Sequence, residues 1–441
     1  MKELIKVKKE KYHFPDHMNV PPECDRSIFI PAYGTDGKQY YYLVDFKSKT
    51  IICWDIDTEE MKNYLINKIQ KDDIAGVPWN KNFENYLQTI LLGHSAQYDN
   101  GKLYVSSNYG TFILCLSIVD DSWSLIGEDI EGDPVKVYSA TNDIYNNNLY
   151  FTRWEMEEGF RHIENRNLPV RLEIGRYSLE ADSFEIIDTI DGPDDVHYTS
   201  ITPDGKNLII IEMAQDPVHR FPKQGEETND DYLLKTLENG LCDSQFIVYN
   251  LEKKQYHVHH LKDGPAHIEY DLSAPGICYV SMHNLCTNNT DNCCFGTARI
   301  EKIRIDSEVA SLGFYTDDDF IRIPSHKPFD YDGQKLLAVS VYPNQLHIID
   351  ADEMKLYKKV YLSKTKQGVD FSRGPYIYPR IDKTPYSIEY QRGSSYIYLC
   401  SIWNIILFNF VGESKYSSLI YNVNNKPLIA MGHAISFVME R

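Results

Sequence analysis

Four histidines stand at the start of four segments that read as β-strands. His94 lies in GHSAQYDNGKLYVSS, His197 in VHYTSITPDGKNLIII, His267 in PAHIEYDLSAPGICYVS and His433 in GHAISFVME. Histidine is a common ligand of divalent metals, and strands that converge on one axis bring residues that are far apart in sequence into one site. The pattern therefore predicts one metal ion bound by four imidazoles.

Four neutral imidazoles suit a borderline divalent ion such as Fe(II), and they leave two positions of an octahedral ion open. The sequence has 14 histidines, so other assignments compete. His326 in PSHKPFDYDG also begins a predicted strand and is an alternative ligand. His257, His259 and His260 alternate along a segment that we interpret as an outer strand.

The elements that must position these histidines are short β-strands. Aromatic and β-branched runs of four to eight residues are separated by Asp, Asn and Gly turns, and the chain holds 33 tyrosines. Seven units repeat this pattern, and we predict an all-β fold, a seven-bladed β-propeller. The units are SIFIPAYGTDGKQYYYLVDF, AQYDNGKLYVSSNYGTFILCLSIV, NDIYNNNLYFTRWEM, SITPDGKNLIIIEM, EYDLSAPGICYVSMHN, FDYDGQKLLAVSVYPNQLHIID and SIEYQRGSSYIYLCSIWNIILFNF.

A propeller closes when both ends of the chain contribute to one blade. The C-terminal segment IAMGHAISFVMER is therefore predicted to complete a sheet that begins near the N-terminus. Residues 1–441 are predicted to form a single domain with two insertions, at about 155–170 and 214–240. The second insertion includes the short amphipathic stretch DDYLLKTLENG.

Composition limits the classes of partner. The formal net charge of −19 disfavours nucleic acid and anionic lipid, since both are polyanions. The N-terminal residues MKELIKVKKEKYHF lack the apolar core of a signal peptide, and no apolar run is long enough for a membrane span. We therefore expect a cytoplasmic protein without stable membrane insertion.

The nine cysteines form an odd set, and several lie in apolar strand-like runs such as FILCLSIV. This pattern favours reduced, buried thiols over a disulfide framework. Cys286, Cys293 and Cys294 form a cluster that is an alternative metal site, although paired CxxC spacing is absent and a polar loop is the preferred interpretation. The sequence also lacks a P-loop, a GxSxG elbow, an HExxH motif and a GxGxxG fingerprint.

The histidine segments resemble the carotenoid cleavage oxygenases, a family of seven-bladed propellers in which four histidines hold catalytic iron. The segment around His197, with Thr202 and Glu212, is similar to the family's second ligand segment. MGHAISF at His433 has the family's position near the C-terminus, and YGTDGKQYYYLVDF resembles its N-terminal repeat. The resemblance implies that His94, His197, His267 and His433 bind Fe(II).

Two departures from the family pattern stand out. Family members orient their ligands with glutamates. Two alternative placements put Asp319, in DDFIRIPSHKPFDYDG, or Ile377, in IYPRIDKTPY, where such a glutamate stands, and at most one placement is right because the two segments occur in the reverse of the family's order. The stretch after the second ligand strand is polar and acidic, where many family members carry an apolar membrane-dipping patch. A substrate less apolar than a full-length carotenoid is therefore expected.

The resemblance implies a non-haem Fe(II) dioxygenase that cleaves or oxidises a C=C bond of an apocarotenoid, stilbenoid or similar conjugated molecule, with O2 as co-substrate. Beyond the metal ligands, no separate catalytic residue is assigned. Two alternatives stay open at this point: a propeller that binds a ligand or protein partner without catalysis, and a metal-dependent lyase or isomerase on the same scaffold. The oligomeric state is not predicted.

Overall fold

The computed structural model describes most of the 441 residues. The described ranges are 2–14, 20–34, 38–71, 93–107, 110–127, 135–156, 170–193, 196–212, 244–261, 264–271, 273–282, 285–286, 294–295, 298–305, 309–317, 323–341, 344–362, 387–401, 404–419 and 428–430. Both predicted insertions fall mainly outside these ranges, as do His433 and Asp319.

Strands dominate the described residues. The first seventeen are β1 (Lys6–His13), β2 (Ser27–Gly34), β3 (Gln39–Asp45), β4 (Thr50–Asp57), β5 (Gly93–Asp99), β6 (Lys102–Ser107), β7 (Ile113–Ser117), β8 (Trp123–Ile126), β9 (Lys136–Tyr138), β10 (Asp143–Tyr145), β11 (Asn148–Glu155), β12 (Val170–Ser178), β13 (Ser183–Gly192), β14 (Val196–Ile201), β15 (Asn207–Glu212), β16 (Ser244–Asn250) and β17 (Gln255–Leu261). The others are β18 (Pro265–Tyr270), β19 (Ile277–Met282), β20 (Leu285–Cys286), β21 (Cys294–Phe295), β22 (Arg299–Arg304), β23 (Ala310–Tyr315), β24 (His326–Tyr331), β25 (Gln334–Val341), β26 (Gln345–Asp350), β27 (Lys355–Tyr361), β28 (Ser387–Tyr390), β29 (Tyr396–Cys400), β30 (Asn404–Asn409), β31 (Lys415–Leu419) and β32 (Leu428–Ala430).

The strands form seven sheets of four or five strands within the described residues, plus the small pair β20-β21. The sheet orders are β1-β4-β3-β2-β32, β5-β6-β7-β8, β10-β11-β12-β13 with β9 on β11, β14-β15-β16-β17, β18-β19-β22-β23, β24-β25-β26-β27 and β28-β29-β30-β31. Each of the seven units predicted from sequence falls in a different sheet. The fold is a seven-bladed β-propeller, as predicted.

The first sheet combines strands from both ends of the chain. Strand β32 pairs antiparallel with β2, so that Ala430 lies opposite Ala32 and Leu428 opposite Gly34. The pairing confirms the predicted closure for Ile429 and Ala430, the described residues of the C-terminal segment. The closing strand includes the residues that lead into the segment of His433.

Alternating apolar residues of neighbouring strands build the cores between sheets. Leu336 and Ile348, from the sheet of β24–β27, belong to one cluster with Ile397 and Phe408 of the last sheet. All four side chains are at most 2% exposed. Burying side chains of this size stabilises the fold by about 1.5 to 3 kcal/mol each, which explains why the Val, Ile and Tyr runs settle as strands.

The Gly turns lie where the sequence places them. In the TPDG turn, the amide of Gly205 donates to the carbonyl of Thr202 at 2.7 Å, and Gly205 has φ of 72°. A Cβ at this position would lie 2.2 Å from the ring of Tyr145. Only glycine therefore satisfies both the left-handed backbone and the close ring.

One helix of the described residues was not anticipated. α1 (Glu59–Lys71) follows β4, and a short 3-10 helix (Lys2–Leu4) precedes β1. Met61 and Leu65 are four residues apart and fully buried, which is helical spacing. Glu60 in the first turn pairs with Lys6 at 2.5 Å. No helix in the described ranges is long and apolar enough to cross a membrane.

Chain contacts divide the protein into two compact units. Unit 1 comprises Met1–Lys8 and Ile56–Ala266, and unit 2 comprises Lys9–Asp55 and His267–Arg441. The single-domain organisation predicted from sequence remains a prediction. The five cysteines whose thiols the structure describes, Cys24, Cys53, Cys115, Cys278 and Cys400, are free and buried, as expected for reduced thiols.

Candidate functional site

His94 and His197 occupy the same position in two different sheets of unit 1. Each is the second residue of the first strand of its sheet, β5 or β14. In β5, Gly93 and Ser95 pair with consecutive residues of β6, so His94 is an extra, bulged residue. His197 is the extra residue in β14 in the same way. A β-bulge redirects a side chain, so the same type of bulge orients both imidazoles.

The two rings meet, although 103 residues separate them in sequence. Their centroids are 4.7 Å apart and their planes are at 81°. Both residues are only 6% exposed. The structure thus brings together two of the four ligands predicted from sequence.

This arrangement fits two imidazoles on one metal ion. With a metal–nitrogen bond of about 2.1 Å, a ring centroid lies about 3.2 Å from the ion, and two ligands at a right angle have centroids about 4.6 Å apart. The observed separation of 4.7 Å agrees with that value. Since both rings are buried and bear no permanent charge, the donor set suits a borderline divalent ion.

Thr141 links the two histidine strands. Its amide donates to the carbonyl of His197 at 3.1 Å, and its carbonyl accepts from the amide of Thr199 at 2.9 Å. Its hydroxyl lies 3.5 Å from Nδ1 of His94. The neighbouring Ala140 carbonyl accepts a 3.0 Å hydrogen bond from the Ser95 hydroxyl. Because Nδ1 of His94 faces Thr141, Nε2 is the nitrogen through which His94 would bind a metal.

A buried polar network holds Thr141 and its neighbours. The segment 139–142 interrupts the first strand of its sheet between β9 and β10, both of which pair with β11. Asn142 donates to the Ser106 hydroxyl at 2.6 Å and accepts from the Ser139 hydroxyl at 2.7 Å. Thr199 donates to Ser139 at 3.0 Å, and Thr152 lies 2.7 Å from Thr199. Satisfied buried polar groups of this kind fix one geometry.

His267 lies in the first strand of the fifth sheet, β18, and is buried at 6% exposure. Its amide donates to the Ser281 hydroxyl at 3.2 Å. His267 belongs to unit 2, whereas His94 and His197 belong to unit 1. Its predicted role as a ligand remains a prediction. So does that of His433, which is outside the described ranges.

No group of three or more His, Cys, Asp or Glu residues converges as a metal site within the described part of the chain. The fourth predicted ligand, His433, and the predicted second-shell residue Asp319 are not among those residues. The same is true of Cys293, one member of the alternative cysteine cluster. The pair formed by His94 and His197 is therefore the described core of the candidate site.

His326, the alternative ligand, has a different environment. Its ring is 2% exposed, and Nε2 lies 2.9 Å from the carbonyl oxygen of Tyr279, to which it donates. Burial lowers the pKa of His326 to about 4, so the ring is neutral at physiological pH. Nε2 of His326 is thus engaged in a hydrogen bond between neighbouring sheets, whereas its Nδ1 is buried and has no hydrogen-bond partner among the described residues.

A charged cluster lies beside it in unit 2. The ammonium group of Lys327 on β24 is 3.2 Å from Glu269 on β18 and 3.3 Å from Glu389 on β28. Burial lowers the pKa of Lys327, but the two carboxylates outweigh that effect and raise it overall. Burial raises the pKa of Glu389 to about 7, against the opposing effect of Lys327. Three successive first strands are thus joined by one cation.

Four residues near these histidines were not predicted from the sequence: Thr141, Lys327, Glu269 and Glu389. The segment SATN at 139–142 contains three small polar residues between strand-like runs, and it was a usable signal for Thr141. The charged cluster has no local signal, since its three members lie on strands that are 58 and 62 residues apart.

No protein-family model matches the chain, and no curated protein sequence matches it. Solved structures with a similar course of the chain include a candidate 6-phosphogluconolactonase of Bacteroides fragilis, at TM-score 0.49 and 9% identity over 96% of this chain and 100% of that one. Another is the dihydro-haem d1 dehydrogenase NirN, at TM-score 0.49 and 9% identity over 98% and 80%. A chain of the mitotic checkpoint complex has TM-score 0.46 and 10% identity over 74% and 76%. Similarity at this level carries no information about substrate or reaction.

Proposed function

We propose that this propeller binds a divalent metal ion through His94 and His197, with His267 and His433 as the other two ligands, and that Fe(II) makes it an oxygenase. The observation that carries the proposal is the pair of perpendicular imidazoles with centroids 4.7 Å apart. Burying two polar imidazoles on matching bulges is energetically unfavourable unless both rings bind the same ligand.

The chain's own residues contribute binding and orientation. The bulges at His94 and His197 allow the two rings to approach each other, and Thr141 contacts the strands of both. Because both rings are buried, they limit the access of water to the proposed metal position beside them. Fe(II), when bound, would supply activation of dioxygen, because four neutral ligands leave its charge undiminished and two positions open.

The proposed substrate is a conjugated alkene such as an apocarotenoid or stilbenoid. The support is the resemblance of the histidine segments to the carotenoid cleavage oxygenases. The reaction adds both atoms of O2 across one C=C bond, which breaks into two carbonyl products, so no external reductant is needed. A substrate with a polar end group suits the strongly acidic chain better than an anionic or wholly apolar one.

The test is oxygen consumption by Fe(II)-loaded protein with apocarotenals and hydroxylated stilbenes, with carbonyl products identified by mass spectrometry. The proposal predicts one O2 consumed for each bond cleaved and no turnover by His94→Ala or His197→Ala. Turnover without oxygen uptake would replace the oxygenase with a lyase or isomerase on the same metal. Absence of any retained metal would leave a propeller that binds partners without catalysis.

A further inference from the structure

Strand β17 places three histidines at the outer edge of the fourth sheet. The sheet order is β14-β15-β16-β17, so β17 has a neighbour on one side only among the described strands. His257 and His260 are exposed, and His259 is half-buried. A histidine-rich edge strand is not explained by packing, because its side chains stand largely in solvent.

His257 and His259 share one face of the sheet. Side chains two residues apart in a strand point the same way, and the pairing of β17 with β16 runs without a register shift from Gln255 to Leu261. His257 lies opposite Val248 and His259 opposite Phe246, which are buried apolar residues. His260 points to the other face, opposite Gln245.

We infer that His257 and His259 form a second, surface site that chelates a single divalent transition-metal ion, Cu(II) or Zn(II), with water as the remaining ligands. Side chains at positions i and i+2 of a strand start about 7 Å apart, a separation that two imidazoles converging on one ion can span. Affinity follows the order in which imidazole sites prefer Cu(II) over Zn(II) and both over Fe(II) or Mn(II).

The two rings differ in exposure: His257 is exposed and His259 is half-buried. Exposure of His257 leaves space for the water ligands and for rapid exchange of the ion with solvent.

This site is separate from the candidate site at His94 and His197. His197 is on β14 and the histidine pair is on β17, three strand spacings or about 14 Å away within the same sheet. The inference does not depend on the proposed function. Its practical consequence is a surface-bound ion that mild chelators remove, whether or not a second ion binds at His94 and His197.

The first experiment maps histidine reactivity in protein without a polyhistidine tag. Diethyl pyrocarbonate modifies free imidazoles, and peptide mass spectrometry measures the rate at each residue of β17 with and without Zn(II). At Zn(II) ten times above half-saturation, modification of His257 and His259 slows about tenfold, and that of His260 does not change. Equal rates with and without Zn(II) at His257 and His259, or equal protection of His260, would overturn the inference.

The second experiment compares Cu(II) affinity among three single variants. His257→Ala and His259→Ala each lose about a hundredfold in affinity for the exchangeable Cu(II), because chelation makes the second bond intramolecular. His260→Ala, on the opposite face of the same strand, is the matched control and changes affinity less than about twofold. Similar losses in all three variants would contradict a site on one face.

Discussion

The imidazoles of His94 and His197 lie edge to face with centroids 4.7 Å apart, and each ring belongs to the extra residue of a β-bulge. Regular strands at these positions would send successive side chains to opposite faces. The bulges allow the chain to point one particular side chain of each strand at the other. The edge-to-face approach of the two rings therefore depends on the backbone geometry of the bulges as well as on packing of the rings.

The first prediction concerns the two meeting histidines. His94→Ala or His197→Ala removes one donor from a buried pair, so we expect each variant to lose about a hundredfold or more in affinity for the firmly held metal. Metal per folded chain is measured after gel filtration in a mild chelator. Far-ultraviolet circular dichroism serves as the control for folding. Full metal retention by either variant would exclude that histidine as a ligand.

The second prediction separates His326 from the ligand set. His326→Ala leaves the carbonyl of Tyr279 without its 2.9 Å donor and opens a cavity, so the free energy of unfolding falls by about 3 kcal/mol. Metal per folded chain stays at the wild-type level. Denaturant titration gives the first value and metal analysis the second. An emptied metal site in this variant alone would assign His326 as a ligand in place of one of the four.

The third prediction tests Thr141 as a positioning residue. Thr141→Val keeps the volume and the backbone hydrogen bonds but removes the hydroxyl near Nδ1 of His94. We expect metal affinity to fall by about tenfold to a hundredfold. Thr141→Ser keeps the hydroxyl and should restore most of the affinity. If valine and serine behave alike, the hydroxyl does not orient His94.

The fourth prediction concerns pH and Glu389. The carboxyl has a pKa of about 7 in the folded protein and an ordinary value of 4.5, because burial disfavours its charge. The folded state therefore binds a proton more tightly than the unfolded state. Its contribution to stability is complete below about pH 4.5 and is lost as the pH rises through about 7.

The measurement is the free energy of unfolding between pH 4.5 and 7.5. Over this interval, titration of Glu389 lowers the free energy of unfolding of the wild-type protein by about 2 to 3 kcal/mol. Glu389→Gln does not show this decrease. Glu413→Gln, at an exposed glutamate, is the control and keeps the wild-type slope. Parallel curves for wild type and Glu389→Gln would show that folding does not raise the pKa of Glu389.

The propeller architecture could be predicted from the sequence because alternating strand residues and Gly turns are local patterns. Each predicted unit became a separate sheet, and β32 joined β2 as closure required. Helix α1 was not predicted, since the helical spacing of its buried residues Met61 and Leu65 lies within a polar stretch. Most of the stability of such a helix comes from tertiary packing of its buried face, and local sequence patterns do not show that packing.

The positions of the candidate histidines at strand starts could be predicted from the sequence, but the geometry of the candidate site could not. Histidine at the start of a strand is visible in the sequence, and His94, His197 and His267 all have that position. Bulges, in contrast, depend on pairing with the next strand. The cluster of Lys327 with two glutamates depends on three sheets being neighbours. Neither feature is encoded within a single segment.

The central claim is that the buried imidazoles hold one metal ion, and X-ray absorption at the iron edge tests it most directly. Fe(II)-loaded His257→Ala, which lacks the surface chelate, is the appropriate protein. The account predicts about one equivalent of iron with imidazole nitrogens at about 2.1 Å, and loss of that signal in His197→Ala. Less than about half an equivalent after Fe(II) addition, or a shell of oxygen ligands without imidazole, would contradict it.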